Sequence, residues 1–247
     1  MISREGRILG AASGISLNRP NEAAVVLQKA FDLIEEWTQQ DLQDAWSRLI
    51  LATAGRELGD ILKLRDPRRA LAIYDHALLR IREVKDNAEA RRAEVELLAG
   101  SAYALRRLGR SDDGKARIDA AFRLLGETND YPAERIDPHE AADVALRAWG
   151  DHLAETGRPQ QAAEVYQTLL DKIGLFADDT RNELASAIAL SHIYRCLAAL
   201  HYRNGQPDRA AEFATLRLEI WRHWDRKLPN NGMVRRHLES ARASLSS

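Results

Sequence analysis

The segment Gly109-Arg110-Ser111-Asp112-Asp113-Gly114-Lys115-Ala116 carries the Gly-x-x-x-x-Gly-Lys core of a phosphate-binding loop. Ala116 stands where Ser or Thr would hold Mg²⁺, Asp112 and Asp113 would face the phosphates, and no strand pattern precedes the segment. It reads as a turn between helices. The histidines (His76, His139, His152, His192, His201, His223 and His237) form no HExxH pair and no close His/Cys cluster at metal-ligand spacing, so neither a metal nor a cofactor is expected. Cys196, the single cysteine, reads as small core filler; a nucleophile there would require a neighbouring base. Adjacent carboxylates such as Glu35-Glu36 and Asp112-Asp113 diverge on a helix and read as solvated. No Gly-x-Ser-x-Gly elbow and no Asp-Phe-Gly or His-Arg-Asp triplet occurs. No catalytic residue is expected, and the chain reads as a non-enzyme.

What remains are charged and aromatic residues, and whether they act together depends on the elements that carry them. A phrase recurs along the chain: Asn18-Arg19-Pro20, Arg65-Asp66-Pro67, Gly157-Arg158-Pro159 and Gly205-Gln206-Pro207, each running into an alanine-containing helix, with Gly109-Arg110-Ser111 as a copy lacking proline. The Gly, Asn or Asp suits a left-handed backbone that ends one helix, and proline opens the next at its first turn. The turns lie 48, 43, 48 and 48 positions apart. After them come Ala23/Leu27/Ala30, Ala70/Tyr74/Ala77, Gly114/Ile118/Ala121, Ala162/Tyr166/Leu169 and Ala210/Ala214, each set on one helical face. Seven positions before each turn stand Ala11, Gly59, Ala102, Gly150 and Ala198, small in every copy, as close helix packing requires.

This pattern resembles the tetratricopeptide repeat (TPR) family, whose unit is a helix–turn–helix with Leu-Gly, a later Ala, an aromatic and another Ala. The nearest copies are Leu58-Gly59…Ala70…Tyr74…Ala77 and Trp149-Gly150…Ala162…Tyr166. The family unit is about 34 residues, so the longer period here implies a variant with about two further turns per helix. The resemblance implies an all-α, TPR-like α-solenoid of about five antiparallel pairs forming a right-handed superhelix. The expected pairs span about 4–39, 42–86, 88–127, 139–174 and 179–227, with a capping helix about 232–245 covering the end of a single repeat domain.

In such superhelices the first helix of each pair lines the concave surface, where peptides lie; that placement is implied by the resemblance. Ten positions before the turns stand Arg56, Ala99, Arg147 and Arg195. On the same face fall His192 at thirteen before, Asp60, Tyr103 and Asp151 at six before, and Lys63, Arg106 and Tyr202 at three before. One reading is a ladder of Arg56, Arg147 and Arg195, with Lys63 and Arg106, for an acidic segment or a terminal carboxylate, since the guanidinium fork pairs both oxygens. Tyr103 and Tyr202 would add apolar contact with a polar tip. The other reading is ordinary ion pairing at i, i+4, Arg56 with Asp60 and Arg147 with Asp151. Trp221 and Trp224 are expected beneath the capping helix, and His201, where sister copies have leucine, as a hydrogen-bonded core histidine.

Composition narrows the partners. Lys plus Arg number 36 against 37 Asp plus Glu, a formal charge of -1, which lacks the basic footprint of a nucleic-acid binder. Hydrophobic residues at 45% are too many for a disordered chain. No stretch reads as a secretory signal or a membrane span, so no membrane partner is expected, and one cysteine fits a reducing, cytoplasmic setting. The first expectation is a protein-interaction scaffold. The alternative is a sensor region of a larger bacterial signalling protein, because Trp224-Asp225-Arg226-Lys227-Leu228-Pro229-Asn230-Asn231 resembles the ends of repeat regions attached to bacterial serine/threonine kinases.

Overall fold

The computed structural model describes residues 2–10, 15–40, 44–174 and 177–245. Among them are twelve α-helices: α1 (Ile2–Gly10), α2 (Pro20–Gln40), α3 (Ala45–Leu62), α4 (Pro67–Ile81), α5 (Ala88–Arg107), α6 (Ser111–Glu127), α7 (Ala141–Glu155), α8 (Pro159–Lys172), α9 (Ala177–Asn182), α10 (Leu184–Arg203), α11 (Pro207–Lys227) and α12 (Gly232–Ala243). The fold is all-α and built from adjacent helix pairs in the manner of an α-solenoid. The one bridge of β type among the described residues joins Ile136 to Ile173 and starts no strand.

The residues divide into two compact units. The first holds Ser16–Ala133 with α1 and Glu140–His152; the second holds Glu134–His139 and the chain from Leu153. In the first, α1 packs on α2, α3 on α4 and α5 on α6, and α3 also meets α2 and α5. In the second, α10 packs on α8, α9 and α11, and α12 packs on α11.

The repeated turns work as their residues dictate. Gly109, Gly157 and Gly205 have φ of 75°, 81° and 72°, and Asn18 has 58°. After the glycines the chain folds back by bonds such as Arg110 N–H to Leu105 O and Gln206 N–H to His201 O, both 2.9 Å. Asp66 departs from this scheme. At φ -137° it is an N-cap whose carboxylate accepts from Arg69 N–H, so the second turn uses aspartate for capping rather than for a left-handed bend.

Three expectations are corrected. The first helix, expected to run to about 17, is Ile2–Gly10, and Leu17 N–H and Arg19 N–H bond back to Ile8 O and Leu9 O; Ala11 lies outside the described residues. The fourth ends at Ile81 instead of about 86, because Arg82 to Val84 turn and Asp86 takes φ 50° before Asn87 caps α5. The span from about 179 to 204 is broken at Glu183, whose extended backbone (φ -119°, ψ 117°) separates α9 from α10. Ser186 Oγ bonds the Glu183 carboxylate at 3.1 Å there. By length and mean hydropathy (1.2) alone α10 would suffice to cross a membrane, and half of that stretch is buried within the protein.

The facial triplets are core. Ala70, Tyr74 and Ala77 are fully buried, as are Ala162 and Leu169. In the fifth copy the third register position is Arg217, which is 3% exposed where the other copies place Ala or Leu. Trp221 and Trp224 lie under Val234, Leu238 and Ala241 of α12. His201 is buried, stacked on Phe213, and donates from Nδ1 to Gln206 Oε1 at 2.6 Å.

Candidate functional site

The small residue at position 59 brings the first polar group into place. A Cβ at Gly59 would stand 2.5 Å from Cζ of Tyr74, and a Cβ at Gly100 would stand 2.8 Å from its Cε1. The ring of Tyr74, carried by α4, therefore occupies a slot between backbone of α3 and backbone of α5. Its phenol emerges beside Asp60 and donates to Oδ1 at 2.8 Å, and Lys63 Nζ meets the same oxygen at 2.8 Å.

From Asp60 the polar residues continue across α5 to α7. Lys63 Nζ and the Arg106 guanidinium each stand 4.5 Å from the centroid of the Tyr103 ring, a cation–π arrangement. Tyr103 Oη donates to Asp151 at 2.7 Å. Arg56 Nε meets Glu96 at 3.0 Å, and Arg7 Nε meets the neighbouring Glu57 at 3.3 Å.

Electrostatics follow from burial and from these neighbours. Burial acts to raise the Asp60 carboxyl, yet the charges of Lys63 and Arg56 and the bonds from Lys63 and Tyr74 hold it below the usual range. Burial, followed by the adjacent Asp60 charge, pushes the Tyr74 phenol well above its ordinary value. Burial also pushes up Glu57 and Glu96, against the opposing pull of Arg7 and Arg56 on the first and of Arg56 on the second. The site thus mixes charges of both signs in a half-buried setting. It can present hydrogen-bond donors, acceptors and one aromatic ring flanked by cations.

Of the residues singled out in the sequence, Asp60, Lys63, Tyr103, Arg106 and Asp151 come together in this first unit, with Arg56 close enough to act electrostatically on Asp60. Arg147 belongs to the same unit, and its Nε bonds Asp143 at 2.6 Å. The ion pair of Arg56 goes to Glu96 on the next helix pair, and Arg147 pairs with Asp143, the residue four before it. The face expected to be open is also more enclosed, since Arg106 and Ala99 are buried and Arg56, Asp60 and Lys63 half-buried. Within the first unit, α2 and α5 cover the flanks of α3.

His192, Arg195 and Tyr202 lie in the second unit. Arg195 is exposed, and its Nη2 donates to His192 Nδ1 at 3.1 Å. No carboxylate pairs with Arg195 among the described residues. Tyr202 is 62% exposed. Cys196 is half-buried rather than core, with Sγ 3.6 Å from His192 Nε2.

Repeat register alone does not single out Tyr74, Glu96, Glu57, Arg7 and Asp143 as polar site residues. Asp143 is discoverable, because it stands four residues before Arg147 just as Asp151 stands four after. Tyr74 fits the pattern as a core ring. Its hydroxyl, inside a core, needs a partner, and that requirement is the available signal.

No family model matches the chain, and no curated protein matches it. Among solved structures, the crystal structure of BtubC (BKLC) from P. vanneervenii aligns with TM-score 0.62 over 92% of this chain and 84% of that one, at 15% identity. That likeness shows the fold alone.

Proposed function

We propose that this chain is a non-enzymatic interaction scaffold of the long-helix TPR kind, binding a protein or peptide segment on the face carried by the first helices of its pairs. The observation that carries the reading is the convergence of Asp60, Lys63, Tyr103, Arg106 and Asp151 from three helices into one half-buried polar surface around an aromatic ring. Such a surface exchanges hydrogen bonds with a peptide backbone while the ring supplies apolar contact. A preference for acidic segments rests on the second unit. Arg56 and Arg147 already have carboxylate partners, whereas Arg195 has none among the described residues and offers its fork to a partner's carboxylate.

The test is a peptide-display selection on the full chain, followed by titration of selected peptides against wild type, Arg195→Glu and Tyr103→Ala, each checked for folding by circular dichroism. Selected peptides should be rich in Asp and Glu. Arg195→Glu should weaken them about tenfold or more, and their binding should fall with salt. Peptides with no acidic bias, bound equally by wild type and both variants, would refute the reading.

A further inference from the structure

We propose that the second unit binds a phosphoryl dianion where α10, α11 and α12 meet, with Arg195, Arg236 and Ser240 as exposed donors and the buried Arg217 beneath them. Side-chain contacts fix the heights of these residues. Phe213 stacks on His201 with ring centroids 5.5 Å apart, and Trp221 Nε1 donates to Ser191 Oγ at 2.7 Å. α10 and α11 therefore run antiparallel, and Arg195, one turn beyond Ser191, stands level with Arg217, one turn before Trp221. The Trp221 ring also stacks on His237 at 4.2 Å, and Arg217 Nη2 donates to Ser240 Oγ at 2.9 Å. α12 is thus antiparallel to α11, with Ser240 at the height of Arg217 and Arg236 one turn away on the same row of α12.

Charge at this level is positive and unopposed. α10 contains no Asp or Glu, and α12 contains one, Glu239. Arg195, Arg217 and Arg236 have no carboxylate partner among the described residues. Arg217 is 3% exposed, and its Nη atoms bond only neutral oxygens: Ser240 O, Ser240 Oγ and Ser244 Oγ. Its Nε is buried with no hydrogen-bond partner. The other copies place Ala30, Ala77, Ala121 and Leu169 at this register position, so core packing does not call for a guanidinium here. A buried guanidinium with neutral partners alone is an uncompensated charge. His237 lies in the same field: burial, then the charges of Arg217, Arg236 and Arg195, push it down to about 4, so it adds no charge of its own at neutral pH.

The donor set selects the ligand. The guanidinium forks of Arg195 and Arg236 can each pair two oxygens. Ser240 Oγ accepts from Arg217, which leaves its own hydrogen for an outside acceptor. A phosphoryl group offers three terminal oxygens and, above its second pKa of about 6, close to two negative charges; a lone carboxylate offers two oxygens and one charge. An anion held there also compensates the charge of Arg217 below it. The phosphoryl group can be carried on a peptide or arrive as the free ion. Its peptide-borne form rests on the scaffold reading and its free form does not.

The full chain is titrated at about pH 7.5 and fixed ionic strength with inorganic phosphate, O-phosphoserine and acetate, by isothermal titration calorimetry. Phosphate and phosphoserine should bind about tenfold tighter than acetate or more. Arg195→Gln and Arg236→Gln, both at exposed positions and each checked for folding by circular dichroism, should each weaken phosphate about tenfold. Arg209→Gln, at an exposed and equally unpaired arginine two turns of α11 from Arg217, should leave it unchanged. A degenerate peptide library with a fixed central phosphoserine then separates the sources. A phosphorylated library that outbinds both its dephosphorylated form and phosphate alone supports the peptide-borne ligand, and one that only equals phosphate supports the free ion. Phosphate no tighter than acetate, or Arg209→Gln as damaging as Arg195→Gln, overturns the site. The scaffold reading is tested with unphosphorylated peptides and Tyr103→Ala, so the two failures are distinguishable.

Discussion

Gly59→Ala tests whether the glycine slot around Tyr74 is what fixes the polar site. The added Cβ would lie 2.5, 2.6 and 2.8 Å from Cζ, Cε1 and Cε2 of a ring that is fully buried. The ring cannot retreat freely, because a Cβ at Gly100 of α5 would stand nearly as close to Cε1, Cζ and Oη on the other side. Overpacking of this sort costs about 1–3 kcal/mol. Alanine returns about 1 kcal/mol through its better helix propensity. If the ring slides outward, the Tyr74–Asp60 bond goes with it, and a bond to a charged group is worth about 1.5–3 kcal/mol. The net expectation is a loss of about 2 kcal/mol.

Urea unfolding followed by far-ultraviolet circular dichroism measures the change, with equal slopes required before midpoints are compared. Gly126→Ala is the internal control. Gly126 lies in α6, and no atom comes within 4 Å of the place its Cβ would take, so the same substitution there should be neutral or stabilising by up to about 1 kcal/mol. Trimming the ring supplies a second control, since Gly59→Ala should cost much less in a Tyr74→Val background. A Gly59→Ala protein as stable as the Gly126→Ala protein would refute the slot, and with it the account of how Asp60 is held.

Two carboxylates should give stability changes of opposite sign. Burial acts to raise Glu35, yet its bonds with Arg80, His76 and Gln39 bring it from the usual 4.5 down to about 2. Its contribution, at most about 3 kcal/mol and less after solvent screening, is complete above about pH 4.5 and is lost as pH falls toward about 2. Glu35→Gln should therefore flatten that acid limb in a urea–pH series. Glu57 is pushed up by burial, so its ionised form costs stability above its folded value and nothing below the unfolded one. Glu57→Gln should raise the neutral-pH midpoint and lose that advantage in acid; a variant less stable than wild type at neutral pH would count against the burial argument.

The helix pairs are legible in the sequence because their signals are local. Gly157-Arg158-Pro159 and Gly205-Gln206-Pro207 specify a left-handed stop and a proline start within three residues, and the structure uses both as such. The burial of Trp221 and Trp224 follows from their place one break before a final amphipathic segment. Less legible is the break at Glu183, where an ordinary helix former takes an extended conformation and its carboxylate bonds Ser186. Register likewise puts Arg56 on the right face but cannot name Glu96, forty positions on, since that pairing depends on how one helix pair sets beside the next.

The three arginines at equivalent register show how far sequence does reach once local pairing is taken into account. Arg56 has Asp60 four residues after it, and Arg147 has an acid on both sides, Asp143 before and Asp151 after. Around Arg195 the same offsets hold Ser191 and Ala199. Ser191 is itself consumed, buried and accepting from Trp221 Nε1 at 2.7 Å. The repeat therefore keeps the cation and deletes its acids in one copy alone, and in that copy Arg195 turns to the His192 imidazole instead. Neighbouring Arg217 repeats the theme inside the core, held by serine oxygens where a carboxylate would compensate it. Of the cations named here, Arg56 and Arg147 in the first unit thus meet carboxylates, whereas Arg195 and Arg217 in the second meet none among the described residues.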